Sequence, residues 1–200
     1  MIDSADGLRQ RYADPSPRAL RKQLGRLDGH CRRFVALSPF VVLATAGPGG
    51  DLDSSPRGGG PGFVRVVDDR TLWLPDAPGN NRLDSLTNVV ATGRVGMLFL
   101  VPGIDETLRV NGAARVRDDP EALGAFEGER RPPRVVLEVA VEEAYLHCAK
   151  ALMRAELWDP GSRQDRGALP PTAQILNDQT GTARPAESQE QMAARYAADL

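Results

Sequence analysis

Between Phe40 and Val141 the chain is written as short β-prone runs separated by Gly, Pro, Asn and Asp, and this punctuation limits the folds open to it. Phe40 to Ala46 is a continuous apolar run closed by Gly47-Pro48-Gly49-Gly50. Phe63 to Val67 and Thr71 to Leu74 are joined by Asp68-Asp69-Arg70, a compact hairpin signal. Val95 to Val101 stops at Pro102-Gly103. Thr107 to Arg117 alternates, with Leu108, Val110, Ala114 and Val116 on one face and Thr107, Arg109, Asn111, Arg115 and Arg117 on the other. Val135 to Val141 is the last such run. Six strands with a helix after the third do not make the strand-helix alternation of a doubly wound parallel sheet. The expectation is a mainly β (α+β) fold, a six-stranded antiparallel barrel with peripheral helices.

That inserted helix spans Asn80 to Thr92, with Leu83, Leu86, Val89 and Val90 on one side, Asn80 as its N-cap and Gly93 as its stop. Ser54 to Gly62 reads as a Gly- and Pro-rich loop. Ahead of the barrel, Leu20, Leu24, Leu27, Phe34, Val35 and Leu37 follow a Pro-bounded start at helix-compatible spacing, up to Ser38-Pro39. A short helical piece lies around Glu121 to Phe126, followed by a basic, Pro-containing connector, and a helix is expected over His147 to Leu157. The chain thus divides into an N-terminal helical arm (1–37), a barrel domain (38–160) and a polar C-terminal tail (161–200) that packs on the barrel or on a partner.

The 25 basic and 27 acidic residues nearly cancel, which argues against nucleic acid as the main partner. No apolar run approaches the roughly 20 residues of a membrane helix, and the N-terminus lacks the basic start and apolar stretch of an export signal. The expectation is a cytoplasmic protein without a membrane partner. His30-Cys31 and His147-Cys148 offer metal-ligand types. Adjacent residues seldom aim at one ion, and neither pair has structural zinc spacing, so no metal is expected. No catalytic triad or carboxylate pair stands out, and the catalytic residues are left unassigned.

Three segments could bind a ligand. In Pro78-Gly79-Asn80-Asn81-Arg82, a glycine and an arginine precede a helix, whose unpaired N–H groups and positive dipole end suit a phosphate; the alternative is a capped helix with an exposed arginine. In Ser54 to Arg65, Arg57 and Arg65 flank Gly58-Gly59-Gly60, where amides and guanidinium groups could converge on an anion, or form only a surface loop. In Asp105 to Gly112, Thr107, Arg109 and Asn111 share one strand face, which a solvated sheet surface would also show. P-loop and dinucleotide motifs are absent.

In order, Ser55-Pro56-Arg57-Gly58, Pro61 to Val66, Pro78 to Ser85, Val95-Gly96, Asp105 to Gly112 and His147 to Ala151 resemble the pyridoxamine 5'-phosphate oxidase-like superfamily, in particular its FMN-dependent branch of unknown substrate. The resemblance runs from about Phe34 to Pro160. It implies an FMN-binding split β-barrel homodimer with FMN at the subunit interface, acting as an oxidoreductase on a small molecule by flavin-mediated hydride transfer. By the same resemblance, Arg57 and Arg65 lie on or beside the strand facing the flavin, and Asn80, Asn81 and Arg82 contact its phosphate. Thr107, Arg109 and Asn111 lie on the strand through which a partner subunit reaches the cofactor. Relatives carry an acidic residue where this chain has Gly58-Gly59-Gly60, which points to a different substrate or weaker activity. Alternatives on this fold are a deazaflavin-dependent reductase and a non-catalytic flavin- or haem-binding protein.

Overall fold

The computed structural model describes residues 1–77, 79 and 81–199. Three short helices, α1 (Ala5–Arg9), α2 (Pro17–Arg21) and α3 (Gly29–Leu37), lead into the strands β1 (Phe40–Ala46), β2 (Leu52–Gly58), β3 (Arg65–Val66) and β4 (Thr71–Asp76). Helix α4 (Asp84–Thr92) precedes β5 (Arg94–Val101) and β6 (Ile104–Arg117), α5 (Pro120–Gly124) precedes β7 (Val135–His147), and α6 (Lys150–Ala155), α7 (Thr172–Thr180) and α8 (Gln189–Asp199) follow. The strands form one antiparallel sheet in the order β2-β1-β5-β6-β7-β4-β3. Arg57 of β2 nevertheless reaches Asp76 of β4, 3.5 Å away. These strands lie toward opposite ends of the sheet order, so the sheet curls on itself as a split barrel.

The alternating pattern produces the core. Val95, Met97 and Phe99 of β5, Leu108 and Val110 of β6, and Leu137 and Val139 of β7 are buried with Val41, Leu43, Leu72 and Leu74. Each such side chain contributes roughly 1.5–3 kcal/mol of hydrophobic stabilisation. Cys31, Phe34 and Val35 of α3 join this core, and the α3 N-terminus is capped by Asp28, whose carboxylate accepts the Cys31 N–H at 2.8 Å. Asn88 of α4 donates to the buried Thr45 hydroxyl at 3.0 Å, which ties that helix to β1.

The fold class is as expected, with seven strands rather than six. Much of the segment read as a loop over Ser54 to Gly62 is strand β2, paired with β1 from Phe40↔Gly58 to Ala46↔Leu52. An edge strand tolerates Pro56, because no outer neighbour needs its missing N–H. The Phe63 to Val67 run keeps strand pairing only at Arg65 and Val66. The N-terminal arm is not helical through Leu24: that residue forms an extended bridge to Ala144, with N···O distances of 3.1 and 2.8 Å.

Strand β7 continues past Val141 to His147, and the later helix begins only at Lys150. The period-two pattern broke at Val141 because the register shifts there. Asn111 pairs with Glu143 and Gly112 with Val141, which leaves Glu142 as the extra residue of a bulge. Gly112 permits the close approach, since a Cβ on it would lie 2.0 Å from the Ala140 carbonyl oxygen. Helix α4 starts four residues later than expected. Leu83 occupies the N-cap position at φ 61° with no side-chain cap bond, and Asn81 also has positive φ, 59°. These two left-handed residues turn the chain ahead of the helix. Asn80, the expected cap, lies outside the described residues, whereas Gly93 ends the helix as expected, at φ 67°.

Candidate functional site

The β-sheet seam opens into a cleft of about 990 Å³ between the end of β2, the end of β4, the turn into α4 and the connector before β7. Its size falls within the range of small-molecule sites. Five arginines line it (Arg57, Arg82, Arg130, Arg131 and Arg134) against two carboxylates, Asp76 and Glu129. Phe63, Pro75, Leu86 and Pro133 add apolar wall. An anion bearing a flat apolar body suits this combination of charge and surface.

Arg57 is anchored from three elements. Its Nη1 donates to the Ser55 hydroxyl and to the Pro56 carbonyl (3.2 Å), its Nη2 donates to the Ser85 hydroxyl at 3.4 Å, and its Nε faces Asp76. Ser85 in turn donates to Asp53 of β2 at 2.5 Å. Strand β2, helix α4 and strand β4 thus converge on one guanidinium. The Asp76 carboxylate accepts no hydrogen bond from a described residue, although the backbone carbonyl of Asp76 accepts the Arg134 N–H at 3.1 Å, and the carboxyl is pushed above the ordinary carboxylate range by burial, against the downward pull of Arg57. Next to Phe63, Gly59 packs so closely that a Cβ on it would lie 2.7 Å from the ring-bearing carbon, whereas the Cβ position of Gly60 is open.

Arg82 and Asn81 line the cleft at the entrance to α4, where Arg82 Nε donates to Asp84 Oδ2 at 2.8 Å and its side chain is 74% exposed. Arg65 does not line the cleft. It holds the connector by an ion pair with Glu129 at 3.1 Å and stacks over the Phe126 ring, 4.9 Å from the centroid. Thr107, Arg109 and Asn111 form a separate group on β6: Thr107 is buried, Arg109 lies 5.4 Å from the Tyr145 ring centroid, and Asn111 donates to Glu143 at 3.0 Å. The structure therefore brings Arg57, Asn81 and Arg82 together and leaves the β6 residues outside the cleft of their own chain.

Sequence reading missed Asp76, Asp53 and Ser85, and it passed over the connector arginines as merely basic. The run Arg130-Arg131-Pro132-Pro133-Arg134 was their available signal; Asp76 had none, since its significance depends on contact across the seam. The buried Cys31 thiol is pushed up to about 11, chiefly by desolvation, which leaves it unreactive. Among the described residues no cluster of three His, Cys, Asp or Glu side chains is placed to hold a metal.

Residues 27–148 match the family model described as pyridoxamine 5'-phosphate oxidase. The chain belongs to this family. Two HupZ structures agree with it in fold. A histidine-to-alanine variant of HupZ from Group A Streptococcus aligns at a TM-score of 0.52 and 17% identity, over 60% of this chain and 99% of that one. HupZ itself aligns at 0.51 and 16%, over 60% and 92%. A candidate pyridoxamine 5'-phosphate oxidase from Lactobacillus delbrueckii aligns at 0.49 and 22%, over 62% and 98%. No curated protein matches the sequence significantly. The matched family segment contains the whole cleft, from Pro56 to Val135.

Proposed function

We propose that the chain binds FMN in the arginine-lined cleft and acts as a cytoplasmic, FMN-dependent oxidoreductase on a small molecule. The observation that carries this reading is the excess of arginine over carboxylate in a cleft that also offers apolar wall. When bound, the flavin would supply hydride transfer, chemistry that requires no catalytic triad from the protein.

In this reading Asn81 and Arg82 hold the phosphate beside the first turn of α4, where Arg57, bound to Ser85 of that turn, also reaches it. Arg57, fixed by Ser55 and Ser85, presents a cation that needs no further ordering when the ligand arrives. Arg65 acts through Glu129, keeping the basic connector against the cleft. Thr107, Arg109 and Asn111, outside the cleft of their own chain, contribute from a second copy in a homodimer. Gly58-Gly59-Gly60 gives that loop no acidic side chain, and Gly59 packs against Phe63, so a substrate would meet backbone and an aromatic ring there.

The test is titration of the purified protein with FMN, followed by flavin fluorescence and absorbance, with a deazaflavin in parallel. Saturable FMN binding at one per chain, weakened about tenfold by Arg82→Ala, is expected. A protein that leaves FMN free overturns the reading, and preferential deazaflavin binding replaces the cofactor.

A further inference from the structure

Within the cleft the Arg57–Asp76 pair is built unlike an ordinary structural ion pair. Both side chains are mostly removed from water, 24% and 22% exposed, yet they meet only through Nε and Oδ1 at 3.5 Å, a charge contact without a hydrogen bond. The other nitrogens of Arg57 are held by neutral partners, the hydroxyls of Ser55 and Ser85 and the Pro56 carbonyl. The guanidinium would therefore keep its position if the carboxylate left. Asp76 has Arg57 as its only charged partner among the described residues, and it faces the space a ligand would enter. A half-desolvated carboxylate with one loose ion pair and no hydrogen bond is costly to keep ionised.

We propose that Asp76 is the internal counter-anion of the cleft: the anionic group of an incoming ligand takes its place at Arg57, and the displaced carboxylate accepts a proton from solvent. Anion binding and protonation of Asp76 are then one coupled event, and Asp76 sets a pH-dependent threshold for what the cleft retains. The coupling follows from linkage, because a group that binds a proton more tightly in the complex makes the complex tighter as pH falls. The carboxyl is already displaced in this direction, since burial raises it more than Arg57 lowers it. The other charged groups lining the cleft are Arg82 ahead of α4 and Glu129, Arg130, Arg131 and Arg134 on the connector. The arginines keep their charge throughout the accessible range. Glu129 stays paired with Arg65 in wild type and variant alike, so a comparison of the two isolates Asp76.

The proposal rests on the FMN reading, and its test separates the two. FMN and riboflavin, which share a ring but differ in the phosphate, are titrated into wild type, Asp76→Asn and Asp76→Ala between pH 5 and pH 8. Both variants are expected to bind FMN about tenfold more tightly than wild type at pH 8. The advantage narrows as pH falls and disappears once wild-type Asp76 is protonated, while riboflavin affinity barely responds to either change. The alanine variant removes the objection that an asparagine amide donates to the phosphate. A variant-to-wild-type ratio that does not move with pH, or variants that bind FMN more weakly, overturns the counter-anion role and leaves FMN binding standing. An equal response with riboflavin also overturns it, because the displacing group is then not an anion. Absence of FMN binding in every protein removes both readings.

Discussion

Two clusters of arginine and carboxylate in this molecule use the same chemistry to opposite ends. On the outer side of β6 and β7, Arg117 donates to Asp119 at 2.7 and 2.8 Å, to Glu121 at 2.8 Å and to Glu138 at 2.7 Å, and lies 5.1 Å from the Trp73 ring centroid. Glu138 also accepts from Arg115 at 2.6 Å and from Trp73 at 3.0 Å. Burial alone would push Glu138 up, and these hydrogen bonds overcome it and hold its carboxyl below the ordinary range. At the seam, the Asp76 carboxylate has one long contact with Arg57 and no hydrogen bond, and burial wins. A saturated cluster locks strands, whereas an under-satisfied one inside a cleft keeps charge available for a ligand.

The contrast is open to direct attack. Glu138→Ala strips three donors of their acceptor and is expected to cost about 2 kcal/mol of stability, read as a shift in urea midpoint, with FMN affinity nearly unchanged. Equal damage to ligand binding would dissolve the distinction between the two clusters. Arg57→Ala should do the reverse, weakening FMN binding by about tenfold while lowering stability less than Glu138→Ala does.

Asp76→Asn is expected to raise stability slightly at neutral pH. A carboxyl whose folded pKa is raised subtracts stability when ionised, and the subtraction vanishes as pH falls through that pKa. The gain over wild type, followed by thermal unfolding, should therefore shrink on acidification. Asp119→Asn sharpens the opposite sign. Hydrogen bonds from Arg117 hold the Asp119 carboxyl at about 2, below its ordinary 3.8. Its contribution is complete above the ordinary value and lost as pH falls from there through the folded one. The variant is expected to lose a little stability at neutral pH and to show a shallower acid limb, the smallest effect of the four.

How much could be read in advance differed from element to element. The two faces of β6 were legible, because a period-two pattern of Leu108, Val110, Ala114 and Val116 has one antiparallel solution and the bulge falls on its partner strand. Strand β2 was not, because Ser54, Pro56 and Gly58 carry turn chemistry that an edge position neutralises. Leu24 matched a helical spacing, yet its backbone pairs with Ala144, a tertiary contact that overrides local periodicity. Within the cleft, Arg57, Asn81 and Arg82 were visible as cations and amides around glycines, whereas the ion pair of Arg65 with Glu129 joins residues too far apart in sequence to be read in advance.

By itself the sequence determined most of the strands, the antiparallel class, the polar face of β6 and the glycine, amide and arginine chemistry ahead of α4, all of which depend on neighbours within a few residues. Only the tertiary structure decided that the sheet curls until β2 meets β4, that Arg57 and Asp76 share one pocket, and that the arginines before β7 face it. Those outcomes depend on register and curvature accumulated across strands far apart in the chain, and short-range patterns do not encode such long-range sums.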